Sequence, residues 1–391
     1  MGRLAFVASL ALIAACSSDP AADPSAADWL FDASPAINFD AVEADTRPAE
    51  TTVVTPTSGP MSGYYSVQID TADWDIQPES VLGVTVAGIR AIDVAVQGER
   101  VVAMVQGAPE HGPAEVVVTT SLGETSLGDV FTYTGPPDPL FARMVGIGAS
   151  LSQGVQRGTP SKHGSLMAPV AQIARQMGTW VGLPLPVEGL FPQVLVEQIG
   201  APPECAVPNF LDYIEDQAAD ILTAMSDPET GEFGYHFARV DPDIEVRNIS
   251  VGGTHAGDVL HGPPKDDLAI NFVSHMIYDP YGPFLSPIER SQVQWVEDFK
   301  PSLVVSTDIY GNDIIKGIVN AEGIDPELIT PAESLHADIQ ETVARVAAAS
   351  DHFFVATLPQ PTLLPAVERK RKQLTVQGMP AGEIQALMDA V

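Results

Sequence analysis

The chain of 391 residues carries 51 acidic against 19 basic side chains, a formal net charge of −32. A field of that sign repels nucleic acid and anionic lipid head groups alike, which argues against nucleic-acid partners and reads most simply as solubility at a cell surface or adaptation to salt. Hydrophobic residues make up 45% of the chain, enough for packed cores, and the length predicts more than one domain.

Met1-Gly2-Arg3 supplies a positive start, and the apolar stretch Leu4–Ala15 is too short to span a bilayer comfortably, so residues 1–16 read as an export signal. The stretch ends Leu12-Ile13-Ala14-Ala15-Cys16, which resembles the bacterial lipoprotein cleavage box. That resemblance implies lipidation of Cys16, with each buried methylene contributing about 0.8 kcal/mol to membrane anchoring. The alternative is a plain secreted protein in which Cys16 is incidental. Ser17 resembles the sorting residue of lipoproteins sent to the outer membrane, so the expected location is the bacterial cell envelope, lipid-anchored at the outer membrane where the host has one. Cys205 is the only other cysteine and has no partner once Cys16 is lipidated, so no disulfide framework is expected. Residues 17–50 are rich in Ala, Asp, Ser and Pro and predict a disordered tether.

From Thr51 to Thr134 short alternating runs predict strands at Tyr64–Ile69, Val81–Val86, Ala91–Val96, Val101–Val105 and Ala114–Thr120. Period two, with Gly, Pro and Asp between the runs, predicts an all-β sandwich over residues 51–135. Thr55-Pro56-Thr57-Ser58-Gly59-Pro60 at its start, and Gly112 to Thr120 with Val130-Phe131-Thr132-Tyr133-Thr134 at its end, resemble the IPT/TIG immunoglobulin-like domain. The resemblance implies a spacer or binding module.

Beyond a Pro-rich linker at 136–142, strands alternate with helices over 143–391, which predicts a three-layer α/β domain with a doubly wound, mostly parallel sheet. Strands are expected at Arg143–Ile147, Ile244–Val251, Ser302–Thr307 and Phe353–Thr357, and helices at Leu166–Met177, Ile288–Phe299 and Pro331–Ala349. Ligands in such sheets sit beyond the carboxyl ends of the strands, where Ser150, Gly253 and Tyr310-Gly311-Asn312-Asp313 all fall.

Gly148-Ala149-Ser150-Leu151, Asn248 to Leu260 with Gly253 in its turn, and Ile309-Tyr310-Gly311-Asn312-Asp313 occur in the order of three sequence blocks of the SGNH/GDSL hydrolases, and the domain resembles that family. The resemblance implies that Ser150 Oγ attacks an ester carbonyl while the Ser150 N–H, the Gly253 N–H and the Asn312 side-chain amide donate to the oxyanion. Ala149 departs from the family's aspartate, which orders the serine loop, and Tyr310 departs from a glycine. Read without the family, Ser150 is a turn serine, Gly253 a strand-end turn and Asn312-Asp313 a helix N-cap.

The family's Asp-x-x-His block, which supplies the base, follows the fifth strand. Asp258-Val259-Leu260-His261 matches it as text but precedes the asparagine block and reads as a decoy. His352 begins a strand, His255 either faces the site or lies on a helix surface, and His163 belongs to the mouth. The catalytic His and Asp are therefore expected beyond Val391, with the chain incomplete at its C-terminus and, as given, showing little turnover. The expected function is a serine ester hydrolase of lipase or carboxylesterase type. The alternatives are a carbohydrate O-deacetylase of the same fold and a non-catalytic surface binding or adhesion protein. The expected partners are an ester substrate, an acylated lipid or glycan, and the membrane through the lipid anchor. No metal or other cofactor is expected.

Overall fold

The computed structural model describes residues 53–71, 76, 80–155, 159–187, 190, 223, 225–226, 230–265, 267–283, 286–318, 326–356, 372, 375 and 379–382. The expectations for Cys16, the tether and Cys205 lie outside them. The chain divides into two compact units, one holding the described residues up to Gly59 and Gly63–Thr134, the other holding Pro60–Ser62 and the described residues from Gly135 onward.

The N-terminal unit is largely antiparallel. Strands β1 (Val54–Thr55), β3 (Gly63–Asp70), β6 (Val94–Gln97) and β7 (Arg100–Gln106) form one sheet in the order β1-β3-β7-β6. A second sheet runs β10-β9-β4-β5, from Gly123–Ser126, Val116–Thr120, Val81–Val86 and Ile89–Arg90. Strands β2 (Ser58–Pro60), β8 (Gly112–Ala114) and β11 (Phe131–Thr134) make a third, in the order β2-β11-β8. Strand β11 alternates buried Phe131 and Tyr133 with exposed Thr132 and Thr134, as a half-buried strand must. Phe131 and Tyr133 meet edge to face at 5.1 Å, and the buried Tyr133 hydroxyl donates to Gln106 O at 2.9 Å. The expected strand Ala114–Thr120 is two strands, because β8 pairs with β11 whereas β9 pairs with β4 and β10.

The C-terminal unit is built on a parallel sheet, β12 (Met144–Ile147), β13 (Leu303–Ser306) and β14 (His352–Val355), in that order. Every residue of β12 and β13 is buried, as expected of strands covered on both faces. The expected strand Ile244–Val251 is a shorter extended run on the other side of β12. Gly146 pairs with Asn248 in parallel, the Gly146 N–H donates to Arg247 O at 2.8 Å, and the Ile249 N–H donates to Gly146 O at 2.9 Å.

Among the described residues the α-helices are α1 (Ser150–Gln153), α2 (Lys162–Met167), α3 (Pro169–Met177), α4 (Ala256–His261), α5 (Leu268–Tyr278), α6 (Gln292–Phe299), α7 (Gly311–Ile318) and α8 (Ala332–Ala349). The single helix expected over Leu166–Met177 is instead α2 and α3, divided at Ala168. Pro169 has no N–H to continue a helix and suits the first turn of a new one. Helix α6 starts later than expected because Ser291 caps it: Ser291 Oγ accepts from the Gln294 N–H while Gln294 Oε1 accepts from the Ser291 N–H. Helix α8 is tied to α6 by a two-pronged Arg345–Glu297 pair at 2.8 and 2.9 Å. No helix among the described residues is long and apolar enough to cross a membrane.

Candidate active site

The turn after β12 is shaped by two polar side chains from elsewhere in the sheet. Gln292 of α6 brackets Gly148, its Oε1 accepting the Gly148 N–H at 2.7 Å and its Nε2 donating to Gly148 O at 2.9 Å. Asp308, just past β13, accepts the N–H groups of Ala149, Leu151 and Ser152 at 3.0, 2.6 and 3.2 Å and the Ser152 hydroxyl at 2.6 Å. Gly148 lies at φ +130°, and a Cβ there would stand 2.7 Å from Asp308 Oδ1, so only glycine fits. Burial pushes the Asp308 carboxyl above the usual carboxylate range, while these donors pull it back.

Ser150 opens α1 at 8% exposure, directly beyond the carboxyl end of β12. The neighbouring amides of Ala149 and Leu151 turn inward to Asp308, whereas the Ser150 N–H has no acceptor among the described residues. Asp308 thus orders the serine loop that Ala149 cannot order. Its signal in the sequence is a carboxylate set at the end of the apolar run Leu303–Ser306.

The glycine turn closes on the same spot. A Cβ on Gly252 would lie 3.7 Å from Ser150 Cβ and 3.0 Å from Gln153 Oε1, and that oxygen accepts the Gly252 N–H at 2.7 Å. Gly253 follows at φ +89°, and its N–H has no acceptor among the described residues. Asn312 is buried at 2% exposure near the start of α7, with one hydrogen of its amide given to Thr254 O at 2.8 Å. An amide nitrogen carries two hydrogens, so a second donor remains on Nδ2. Asp313 holds the turn from the other side, accepting from the Ala256 N–H at 2.8 Å and the Thr330 hydroxyl at 2.7 Å. Tyr310 donates its hydroxyl to Ala356 O at 2.8 Å, tying the exit of β14 to this loop.

The structure therefore brings Ser150, the Gly252-Gly253 turn and the Asn312 loop to neighbouring strand ends. No protein-family model matches this chain, and no curated protein matches it either.

The histidines separate clearly. His255 precedes α4 with its side chain 26% exposed and its Nδ1 3.4 Å from Asp313 Oδ1. Its N–H donates to Asp258 Oδ2 at 2.8 Å, so Asp258 serves this helix start. Burial pushes the Asp258 carboxyl upward, with the bond from His255 opposing. His261 is 63% exposed and faces Asp338 of α8 at 3.7 Å. His352 begins β14, level with Leu303, at the opposite end of the sheet from Ser150. His163 is exposed on α2.

Several aromatic residues between α3 and α6 are packed internally. Tyr235, 1% exposed, stacks on His275 at 4.6 Å and meets Phe272 edge to face at 5.3 Å. Tyr278 donates its hydroxyl to Ile249 O at 2.8 Å.

Proposed function

We propose that this chain is a serine ester hydrolase of the SGNH/GDSL kind, carried on an IPT/TIG-like immunoglobulin-fold domain and anchored by lipid at the cell envelope. The observation that carries the reading is the isolation of the Ser150 N–H. Both neighbouring amides are used by Asp308, and the Ser150 amide between them has no acceptor among the described residues. A serine hydroxyl beside unused backbone donors is the arrangement that acyl transfer requires, since the attacked carbonyl oxygen becomes negative next to the nucleophile. The Gly253 N–H, without an acceptor among the described residues, and the second hydrogen of Asn312 Nδ2 support the same reading.

In this mechanism Ser150 Oγ attacks the ester carbonyl and loses its proton to a base, and the alcohol leaves after protonation. Water then attacks the acyl-serine. The Ser150 and Gly253 amides with the Asn312 amide hold the oxyanion at both stages. Hydrolysis of p-nitrophenyl esters by the full-length protein tests the reading. Serine-dependent turnover supports it, even at the low rate expected of these 391 residues, and turnover that survives Ser150→Ala overturns it. Short and long acyl chains and acetylated glycans run in parallel separate a lipase from an O-deacetylase.

Asn312→Ala is expected to lower kcat by about a hundredfold to a thousandfold, the loss typical of one oxyanion donor, with KM little changed. Steady-state kinetics on a short-chain ester check this. Cys16→Ser is expected to move the protein from the membrane pellet to the aqueous fraction of expressing cells, because acyl chains on Cys16 are the proposed anchor. Fractionation and detergent phase partitioning read the result.

A further inference from the structure

Gln153 is 2% exposed and stands three residues after Ser150 in α1, a spacing that puts both side chains on one side of the turn. Its Oε1 accepts the Gly252 N–H at 2.7 Å, whereas its Nε2 is buried with no hydrogen-bond partner among the described residues. A buried donor without an acceptor is destabilising, so packing alone would be better served by an apolar side chain of similar length. The same oxygen lies 3.0 Å from where a Cβ on Gly252 would stand, and that position is 3.7 Å from Ser150 Cβ. Gln153, Gly252 and Ser150 thus meet at one point.

We propose that Gln153 is a positioning residue of the oxyanion site, fixing the peptide between Val251 and Gly252 so that the following N–H, that of Gly253, faces the acyl oxygen on Ser150. The inference rests on the serine-hydrolase reading. Capturing the Gly252 N–H requires an acceptor within one residue of a forming oxyanion. Glutamate would accept equally well but would set one negative charge beside another. Glutamine accepts while remaining neutral, and its unpaired Nε2 is the other end of that amide.

The test compares Gln153→Met and the isosteric Gln153→Glu with wild type in the full-length protein, using p-nitrophenyl butyrate and a fluorophosphonate probe for Ser150. Gln153→Met is expected to lower kcat about tenfold to a hundredfold at every pH, with KM within about twofold of wild type. Gln153→Glu keeps the acceptor, so its kcat should approach wild type in acid, where the new carboxyl is protonated, and fall as that carboxyl ionises. A merely structural role would not give the Glu variant a pH profile of its own. Wild-type kcat in both variants, or a Glu profile superimposable on that of wild type, overturns the inference. Should the Met variant not fold, the Glu profile decides alone. If wild type neither hydrolyses the ester nor takes the probe at Ser150, the underlying reading fails and the inference with it. Ser150-dependent labelling alongside unaffected Gln153 variants overturns the inference only.

Discussion

With a catalytic base in place, replacing Ser150 by alanine is expected to lower ester hydrolysis by at least about a thousandfold in kcat while leaving the fold intact, because it removes the nucleophile and keeps the donors around it. The hydroxyl makes no hydrogen bond among the described residues and the side chain is already small, so the stability cost should stay within about 1 kcal/mol. Residual turnover should come from the backbone amides of residue 150 and Gly253 with the Asn312 amide, which the substitution leaves in place. Ester hydrolysis together with thermal unfolding of the two proteins measures both halves of the expectation. An unchanged rate would make Ser150 a turn residue and shift the reading to a non-catalytic binding protein. A lost rate with a lowered melting temperature would point to a structural serine.

The elements that sequence reasoning found most clearly are those whose signal is local. Strands β12 and β13 are short apolar runs buried on both faces, and α8 carries helical spacing over 18 residues. Ser150, Gly253 and Asn312 were legible because each sits in a recognisable turn directly after such a run. The residues that shape the turn were not legible. Asp308 reaches Leu151 across 157 residues, and Gln292 reaches Gly148 across 144. A single polar residue at a strand end or a helix start has no periodicity to betray its partner. Only the parallel register of Met144 with Leu303 and of Ile147 with Ser306 brings the two strand ends together. The division of 114–120 between two sheets was hidden for the same reason, since alternation fixes a strand's faces but not the neighbour it pairs with. The break at Pro169 is different in kind. The apolar period continues through it, yet proline's missing N–H was visible in the sequence and should have outweighed the period.

Asp308→Ala is expected to be the most destabilising single change in the parallel-sheet unit, costing about 3–5 kcal/mol, because it strands four donors in a buried turn. The Ala149, Leu151 and Ser152 amides and the Ser152 hydroxyl all converge on this carboxylate, and the residue is only 3% exposed. The Ser152 hydroxyl has other neighbours, since it accepts the Thr307 N–H at 3.0 Å and pairs with Thr307 Oγ1 at 2.8 Å, so the three amides carry most of the loss. Asp308→Asn separates charge from shape. Its oxygen can replace Oδ1, which serves Ala149 and Ser152, but its amide nitrogen then meets the Leu151 N–H that Oδ2 now accepts, donor against donor. An intermediate loss of about 1–3 kcal/mol follows for this variant. Urea unfolding of wild type, Asp308→Asn and Asp308→Ala should rank them in that order. Activity should fall further than stability in Asp308→Asn, because a Leu151 amide released from the carboxylate frees the peptide next to Ser150 to turn, and the Ser150 N–H loses its fixed direction toward the oxyanion. Equal stability of all three proteins would mean that the turn is held by the Gln292 bracket and the helix that follows, and that Asp308 only fills space.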